Sequence, residues 1–509
     1  MSENPQGEGI VKLPTGIPGF DLITLGGLPK GRTTLVAGTA GSAKTVMAVQ
    51  FLAEGIKHSR ESGVFVSFEE SPEDIRNNMI SLGWDIRKWE DEGRWVFVNA
   101  SQDPEHEEIV GGMFDFGALL ARVEHAIGKV KASRVAMDSL GAVFTQYPDR
   151  SVVRRELFRL ASALKRIGVT VFMTSERTDE NSKIARYGVE EFVADNVIIL
   201  RNMLEAEKRR RTIEILKFRG TVHQKGEYPF TIIPQQGVVV IPLSAMELKQ
   251  KSSNLRITSG QSELDHMCGG GFFRDSIILV SGATGTGKTL MATKFLHAGA
   301  AQGEKSLFFG FEESREQLFR NADGWGIDFE AIEKKGLLKV VCDYPEIMGL
   351  EDHLLRIKQH LDEFNPQRVV VDSLSALERV STIKGFREFI VGLTSFIKHQ
   401  EIAGLFTSTT PNLMGGTSIT EAHISTITDS IILMRYVELL GEMRRGLTVL
   451  KMRGSAHEKT IREFTIDGMG MHIGNAFQDV SGILSGRPSC APPGAVERPS
   501  NLFQEGENV

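Results

Sequence analysis

A lysine and a threonine directly after a glycine-rich run, at Gly282-Ala283-Thr284-Gly285-Thr286-Gly287-Lys288-Thr289, make an arrangement suited to gripping phosphate. In the pattern GxxxxGK[ST] backbone N–H groups cradle phosphates, the lysine reaches the terminal ones and the hydroxyl ligates magnesium. The pattern recurs at Gly38-Thr39-Ala40-Gly41-Ser42-Ala43-Lys44-Thr45, and Lys288 follows Lys44 by 244 positions. Candidate ATP-contact residues are therefore Gly38, Thr39, Gly41, Ser42, Ala43, Lys44 and Thr45, with Gly282, Thr284, Gly285, Thr286, Gly287, Lys288 and Thr289.

Carboxylates and cations repeat with them. Asp138 and Asp372, 234 positions apart, each end an apolar run. An aspartate there anchors magnesium opposite the loop hydroxyl of Thr45 or Thr289. The pairs Glu69-Glu70 and Glu312-Glu313 also follow strand-like runs, in place to orient a nucleophile toward a γ-phosphate. Lys217, Arg219 and His223 recur as Lys451, Arg453 and His457, cations that serve either the domain's own site or a neighbour's.

Such groups converge only if strands deliver them to one edge and helices cross between the strands. Strand-like runs at 32–37, 63–68, 134–139, 169–174 and 212–220 alternate with helix-like patterns at 46–57 and 152–167, and the second half repeats the scheme. This predicts an α/β protein of two tandem nucleotide-binding domains, each with a mostly parallel sheet flanked by helices. The expected boundaries are a first domain at 1–241, a linker at 242–256, a second domain at 257–486 and a tail at 487–509. The tail is Pro-, Gly- and polar-rich and reads as disordered.

Composition narrows the class. A net charge of −6 argues against a protein that coats nucleic acid, because such binding rests on neutralising many phosphates. The basic run Lys208-Arg209-Arg210-Arg211 reads as a solvated hairpin turn. Three scattered cysteines suggest reduced thiols rather than a disulfide framework or zinc cluster. With no run near ~18 apolar residues and no apolar signal core, the reading is a cytoplasmic protein outside the membrane.

The strings SFEESPEDIR, ARYGVEEFV, KGEYPFTI, GATGTGKTL, FEESREQL, VVVDSLSAL, HISTITDSIIL and KMRGSAHEK resemble the KaiC family of circadian clock proteins, over roughly residues 11–486. The resemblance implies tandem RecA-like P-loop domains in a homohexamer of two stacked rings, with ATP and Mg2+ bound between subunits. Thr45, Asp138, Thr289 and Asp372 would then serve the metal, and Glu69, Glu70, Glu312 and Glu313 catalysis. Lys217, Arg219, His223, Lys451, Arg453 and His457 would reach the γ-phosphate of the adjacent subunit. It further implies ATPase activity and serine/threonine autokinase and autophosphatase activity in the second ring, with Ser425 and Thr426 as phosphoacceptors. At offset 234 these fall on Glu191 and Phe192, so the first half has no hydroxyl there.

Among partners the resemblance implies a KaiB-like protein and an output partner of the histidine-kinase class. The tail after Gly486 does not match the family's KaiA-binding tail, so little KaiA dependence is expected. A second departure is Ala43, where the family's loop has a glycine before the lysine. The competing class is a RecA-like nucleic-acid motor or recombinase. Acidic charge and the lack of a basic, aromatic stretch weigh against it.

Overall fold

The computed structural model describes residues 10–100, 115–141, 149–180, 193–205, 208–242, 252–410, 424–478, 480–483 and 489–490. The chain divides into two compact units, Met1–Met246 and Glu247–Val509. In the first, the apolar runs become β1 (Thr33–Gly38), β2 (Gly63–Ser67), β3 (Trp95–Asn99), β4 (Arg134–Asp138) and β5 (Thr170–Glu176). They are joined by β6 (Asn196–Glu205), β7 (Lys208–Phe218), β8 (Glu227–Ile233) and β9 (Gly237–Val240). One nine-stranded sheet results, in the order β9-β8-β7-β6-β1-β5-β4-β2-β3. Pairing is parallel from β6 through β3 and antiparallel from β6 through β9. Every residue of β1, β2 and β4 is buried, which is why these strands read as unbroken apolar runs rather than alternating ones.

The second unit repeats this. Its strands are β10 (Ile277–Gly282), β11 (Ser306–Gly310), β12 (Leu338–Cys342), β13 (Arg368–Asp372), β14 (Ala403–Thr409), β15 (Ser430–Leu439), β16 (Glu442–Met452), β17 (Arg462–Asp467) and β18 (Gly470–Ala476). Their order, β18-β17-β16-β15-β10-β14-β13-β11-β12, matches the first sheet position for position. Helices cover both faces of the sheets, among them α1 (Lys44–Ser59), α2 (Phe116–Val130), α3 (Arg150–Ile167), α4 (Lys288–Ala301), α5 (Leu350–Phe364) and α6 (Ile383–His399). In the first unit α1 packs Met47, Phe51 and Leu52 with Phe65 and Phe172 on one face. Leu119 and Val123 of α2, with Leu157 and Leu164 of α3, close the other over Val64, Val135 and Val171.

Each core is threaded by an almost fully buried arginine, Arg134 in the first unit and Arg368 in the second. Arg134 donates from Nη1 to Phe51 O (2.8 Å) and from Nη2 to Pro14 O (2.8 Å), and it pairs with Glu61. Arg368 donates to Thr258 O (2.8 Å) and Phe295 O (2.9 Å) and pairs with Glu304 at 2.6 Å. A helix glycine makes room for each: a Cβ at Gly55 would stand 2.5 Å from Arg134 Nε, and one at Gly299 would stand 2.7 Å from Arg368 Nε. Arg368→Ala frees two buried carbonyls and leaves Glu304 with Arg274 as its remaining cation, so it is expected to cost about 3 kcal/mol, the low end for breaking a buried pair, in the unfolding of the second unit by urea or heat.

Two expectations are corrected. The basic run at 208–211 is not a turn but the start of β7, with Arg209, Arg210 and Arg211 opposite Leu204, Met203 and Asn202. Sheet pairing outweighs local polarity because the guanidinium heads find partners: Arg209 bonds Asn202 O (2.9 Å), Arg211 bonds Gly41 O (3.2 Å) and Arg210 lies 3.7 Å from Glu205. In the tail read as disordered, Ser489–Cys490 pairs antiparallel with Val480–Ser481, a short ladder that local composition does not announce. At the other end of the second unit, Arg256 already starts a short strand paired with Phe272–Phe273. Residues 243–251 of the expected linker, and the rest of the tail, lie outside the described residues.

Candidate functional site

Both phosphate loops leave the central strand of a sheet at its carboxyl end. Gly38 ends β1 and Lys44 opens α1; Gly282 ends β10 and Lys288 opens α4. Neither helix start carries a side-chain cap, which leaves its first N–H groups facing the loop, the condition for anion binding. The loops are held alike: Ser42 Oγ and Lys44 Nζ donate to Thr39 O (2.7 and 3.0 Å), and Thr286 Oγ1 and Lys288 Nζ donate to Ala283 O (2.8 and 3.0 Å). Thr284 and the glycines complete the turn, with Gly41, Gly285 and Gly287 at φ 72°, 79° and 102°.

Ala43, in the place of Gly287, also adopts a left-handed backbone, φ 70° and ψ 26°. That conformation costs an L-residue roughly 1–2 kcal/mol, partly offset because alanine loses less chain entropy on folding than glycine, by about 0.5–1 kcal/mol. Ala43→Gly is therefore expected to stabilise the first unit by on the order of 0.5–1 kcal/mol, read by thermal unfolding. The converse Gly287→Ala is worse, because its φ of 102° lies farther from the left-handed helical well than that of Ala43, and Ile466 Cδ1, 2.7 Å from the added Cβ, must also shift.

The strand neighbouring each central pair supplies the aspartate. Thr289 Oγ1 donates to Asp372 Oδ2 at 2.7 Å, and Thr407 Oγ1 donates to the other oxygen. Asp138 accepts from Thr174 in the same way, while no hydrogen bond among the described residues joins it to Thr45. Burial raises the proton affinity of Asp372 against those two donors, and a divalent cation there would hold it ionised. Burial lowers the pKa of Lys44 and Lys288; Glu176, Asp138, Glu69 and Glu180 oppose it at the first, Asp372 and Glu312 at the second.

The glutamate pairs lie in the loops after β2 and β11, on the same edge, but their surroundings differ. Glu69 Oε1 accepts from Ser139 Oγ at 3.3 Å, and burial followed by the charge of Glu176 raises its pKa. Glu312 instead meets Arg379 at 3.1 Å. Glu70 and Glu313 are raised chiefly by burial, then by Asp138 and Asp372 respectively.

The repeated cations sit elsewhere. Lys217 Nζ donates to Ala194 O (2.8 Å), and Arg219 lies 3.9 Å from Asp195. Asp195 N in turn bonds Thr33 O (3.0 Å), at the start of β1. In the second unit Lys451 Nζ donates to Thr428 O (2.7 Å), and Arg453 donates to Thr426 O (2.7 Å) and lies 3.7 Å from Asp429. Asp429 N bonds Ile277 O (2.9 Å), at the start of β10. A six-residue strand spans roughly 16 Å at about 3.3 Å per residue, so these cations lie at the opposite edge of the sheet from their own chain's phosphate loop. His223 and His457 follow in the same segments, His223 Nδ1 lying 2.9 Å from Gln224 O. Ser425 and Thr426 belong to a short 3-10 turn, Ile424–Thr426, at this same edge, with Thr426 exposed. Glu191 and Phe192 lie outside the described residues.

Sequence reading missed Asp195 and Asp429, which organise those cations together with Lys165 (3.7 Å) and Lys398 (2.8 Å). It also missed Arg379 and Glu176. Only the offset repeat of the two aspartates signals any of them beforehand.

A parallel sheet that delivers a phosphate loop, a neighbouring aspartate and a glutamate pair to one edge, twice in one chain, defines a tandem nucleotide-binding ATPase architecture. A family model described as "ATPase: KaiC" matches residues 13–245 and again 257–477, and the chain belongs to the KaiC family. It is 67% identical over 498 residues to the circadian clock protein KaiC3 of Synechocystis sp., covering 98% of both chains. It is 57% identical over 480 residues to the circadian clock oscillator protein KaiC of Thermostichus vulcanus, covering 94% of this chain and 92% of that one. With the same protein of Rippkaea orientalis it shares 58% over 482 residues, covering 95% and 92%. Among the described residues no helix is long and apolar enough to cross a membrane.

Proposed function

We propose that the chain works as an ATP-hydrolysing homohexamer in the cytoplasm, whose second domain is also a serine/threonine autokinase and autophosphatase, at the core of a circadian or other timing or stress-signalling system. The carrying observation is the roughly 16 Å of strand between each phosphate loop and its own chain's cations. Lys217 and Arg219, and Lys451 and Arg453, serve a loop only when a second copy brings its edge to it, and a ring satisfies every copy at once.

In this reading ATP lies with its phosphates on the α1 and α4 N-termini, gripped by Lys44 and Lys288. Thr45 with Asp138 and Thr289 with Asp372, each a hydroxyl and one carboxylate, would hold Mg2+, which would supply charge neutralisation. Glu69 accepts a proton from attacking water, and Glu312 accepts one from the acceptor hydroxyl. The neighbour's lysine, arginine and histidine face charge that builds on the transferring phosphoryl group. Run in the opposite sense, the second site returns the phosphoryl group and empties Ser425 or Thr426.

Sedimentation with ATP or a non-hydrolysable analogue is expected to give about six subunits; a persistent monomer refutes the assembly. Mass spectrometry after incubation with ATP should find phosphate only in the second domain while ADP accumulates. The family relationship supports a KaiB-like partner for the first domain and an output partner of the histidine-kinase class. Phosphorylation is expected to proceed without a KaiA-like activator; a requirement for one would refute that part.

A further inference from the structure

We infer that Glu176 is a second catalytic carboxylate of the first domain, accepting the hydrogen bond that attacking water still has to give once Glu69 takes its first proton. The inference rests on the proposed role of Glu69 as proton acceptor.

Glu176 ends β5 and lies opposite Gly38 in the parallel register, at the edge where the phosphate loop begins. Its side chain turns toward the end of β4: a Cβ placed on Gly141 would lie 3.8 Å from Glu176 Cγ and 3.5 Å from Ser139 Oγ. Ser139 Oγ is the atom that donates to Glu69. Of the charges acting on Lys44 and on Glu69, that of Glu176 is the strongest at each. The carboxylate thus lies near Ser139, the donor to Glu69, and its charge acts both on the lysine of the phosphate loop and on that glutamate.

The second domain has the same frame with a different residue. Thr409 ends β14 and lies opposite Gly282, and its N–H donates to Ser375 Oγ (2.8 Å). The difference follows the chemistry of the two nucleophiles. Water carries two O–H bonds, and fixing its lone pair on phosphorus calls for two acceptors; a serine or threonine hydroxyl carries one, and Glu312 suffices. In the first domain the water oxygen bonds to the γ-phosphorus and the bond to the bridging oxygen of ADP breaks. One water proton passes to Glu69, and the other stays on the phosphate product, donated to Glu176 throughout.

The test uses the full chain carrying Glu312→Gln and Glu313→Gln, so that ADP release reports the first domain. Glu176→Thr is expected to lower kcat about tenfold or more while the KM for ATP changes less than about twofold, because orientation of water is lost and ATP binding is not. Glu176→Gln keeps one acceptor oxygen and should restore at least half of the lost rate on a logarithmic scale. In the otherwise native chain, Thr409→Glu is expected to raise the ratio of ADP released to phosphate incorporated in the second domain severalfold. An unchanged kcat in Glu176→Thr, with Glu69→Gln still inactive, overturns the inference alone. A fall in kcat matched by an equal rise in KM also overturns it, since that marks lost ATP binding. Unchanged turnover in Glu69→Gln overturns the reading of Glu69 and the inference with it.

Discussion

Glu69→Gln is expected to reduce ATP hydrolysis by the first domain about 10²- to 10⁴-fold, the range for losing a positioned general base, while ATP still binds. Glutamine keeps the shape of the side chain and the acceptor for Ser139 Oγ, which lies 3.3 Å from Glu69 Oε1, so little else changes. The native enzyme should also show where its base titrates. Burial, reinforced by Glu176, raises the pKa of Glu69 above that of an ordinary glutamate. The active form is the ionised one, so hydrolysis is present above that raised value and lost as pH falls through it. The acid limb of the rate profile should accordingly lie at higher pH than for a solvent-exposed glutamate, and it should vanish in Glu69→Gln. ADP release across pH in chains silenced at Glu312 and Glu313 measures both effects; a variant that turns over at the native rate excludes Glu69 as the base.

The same pair of residues explains how far sequence alone reaches. Lys44, Lys288, Asp138 and Asp372 are legible because a phosphate loop and the end of a buried parallel strand are local patterns, and the fixed offset turns two weak motifs into one strong one. The strands were legible because β1, β2 and β4 are buried on both faces and must be apolar throughout. What escaped depends on register between distant segments. Glu176 looks like any polar residue closing a strand until β5 is aligned with β1, and Arg379 gives no hint of Glu312 across 67 positions. The arginines at 209–211 misled for the same reason: their partners, Asn202 O, Glu205 and Gly41 O, come from neighbouring segments that propensity does not see. The edge on which a cation lies is likewise a fact of topology, invisible in spacing.

That topology yields the other large effect, complete loss of label and its recovery by mixing. Ser425→Ala with Thr426→Ala should abolish transfer from γ-labelled ATP while leaving most ATP hydrolysis, since Glu69 and Lys44 are untouched. Lys288→Ala should abolish label too, for the different reason that its second loop no longer grips phosphate. The Ile424–Thr426 turn lies beside the start of β10 and the loop leaves its end, so a chain does not hand phosphate from its own second loop to its own Thr426 without crossing roughly 16 Å of buried strand. Mixed before assembly, the two variants should form rings in which a loop of the alanine-substituted chain faces the intact hydroxyls of the Lys288→Ala chain. Label should then return, and only on the Lys288→Ala chain, which a tag of different mass identifies. The position of Arg453 sharpens the expectation, because its guanidinium donates to Thr426 O at 2.7 Å and so travels with the acceptor. A chain that brings its hydroxyl to a neighbour's ATP brings the cation that steadies the transferring phosphoryl group with it. Mixtures that stay unlabelled, while each variant still sediments as a ring, would rule out transfer between subunits, and with it the coupling of phosphorylation to assembly.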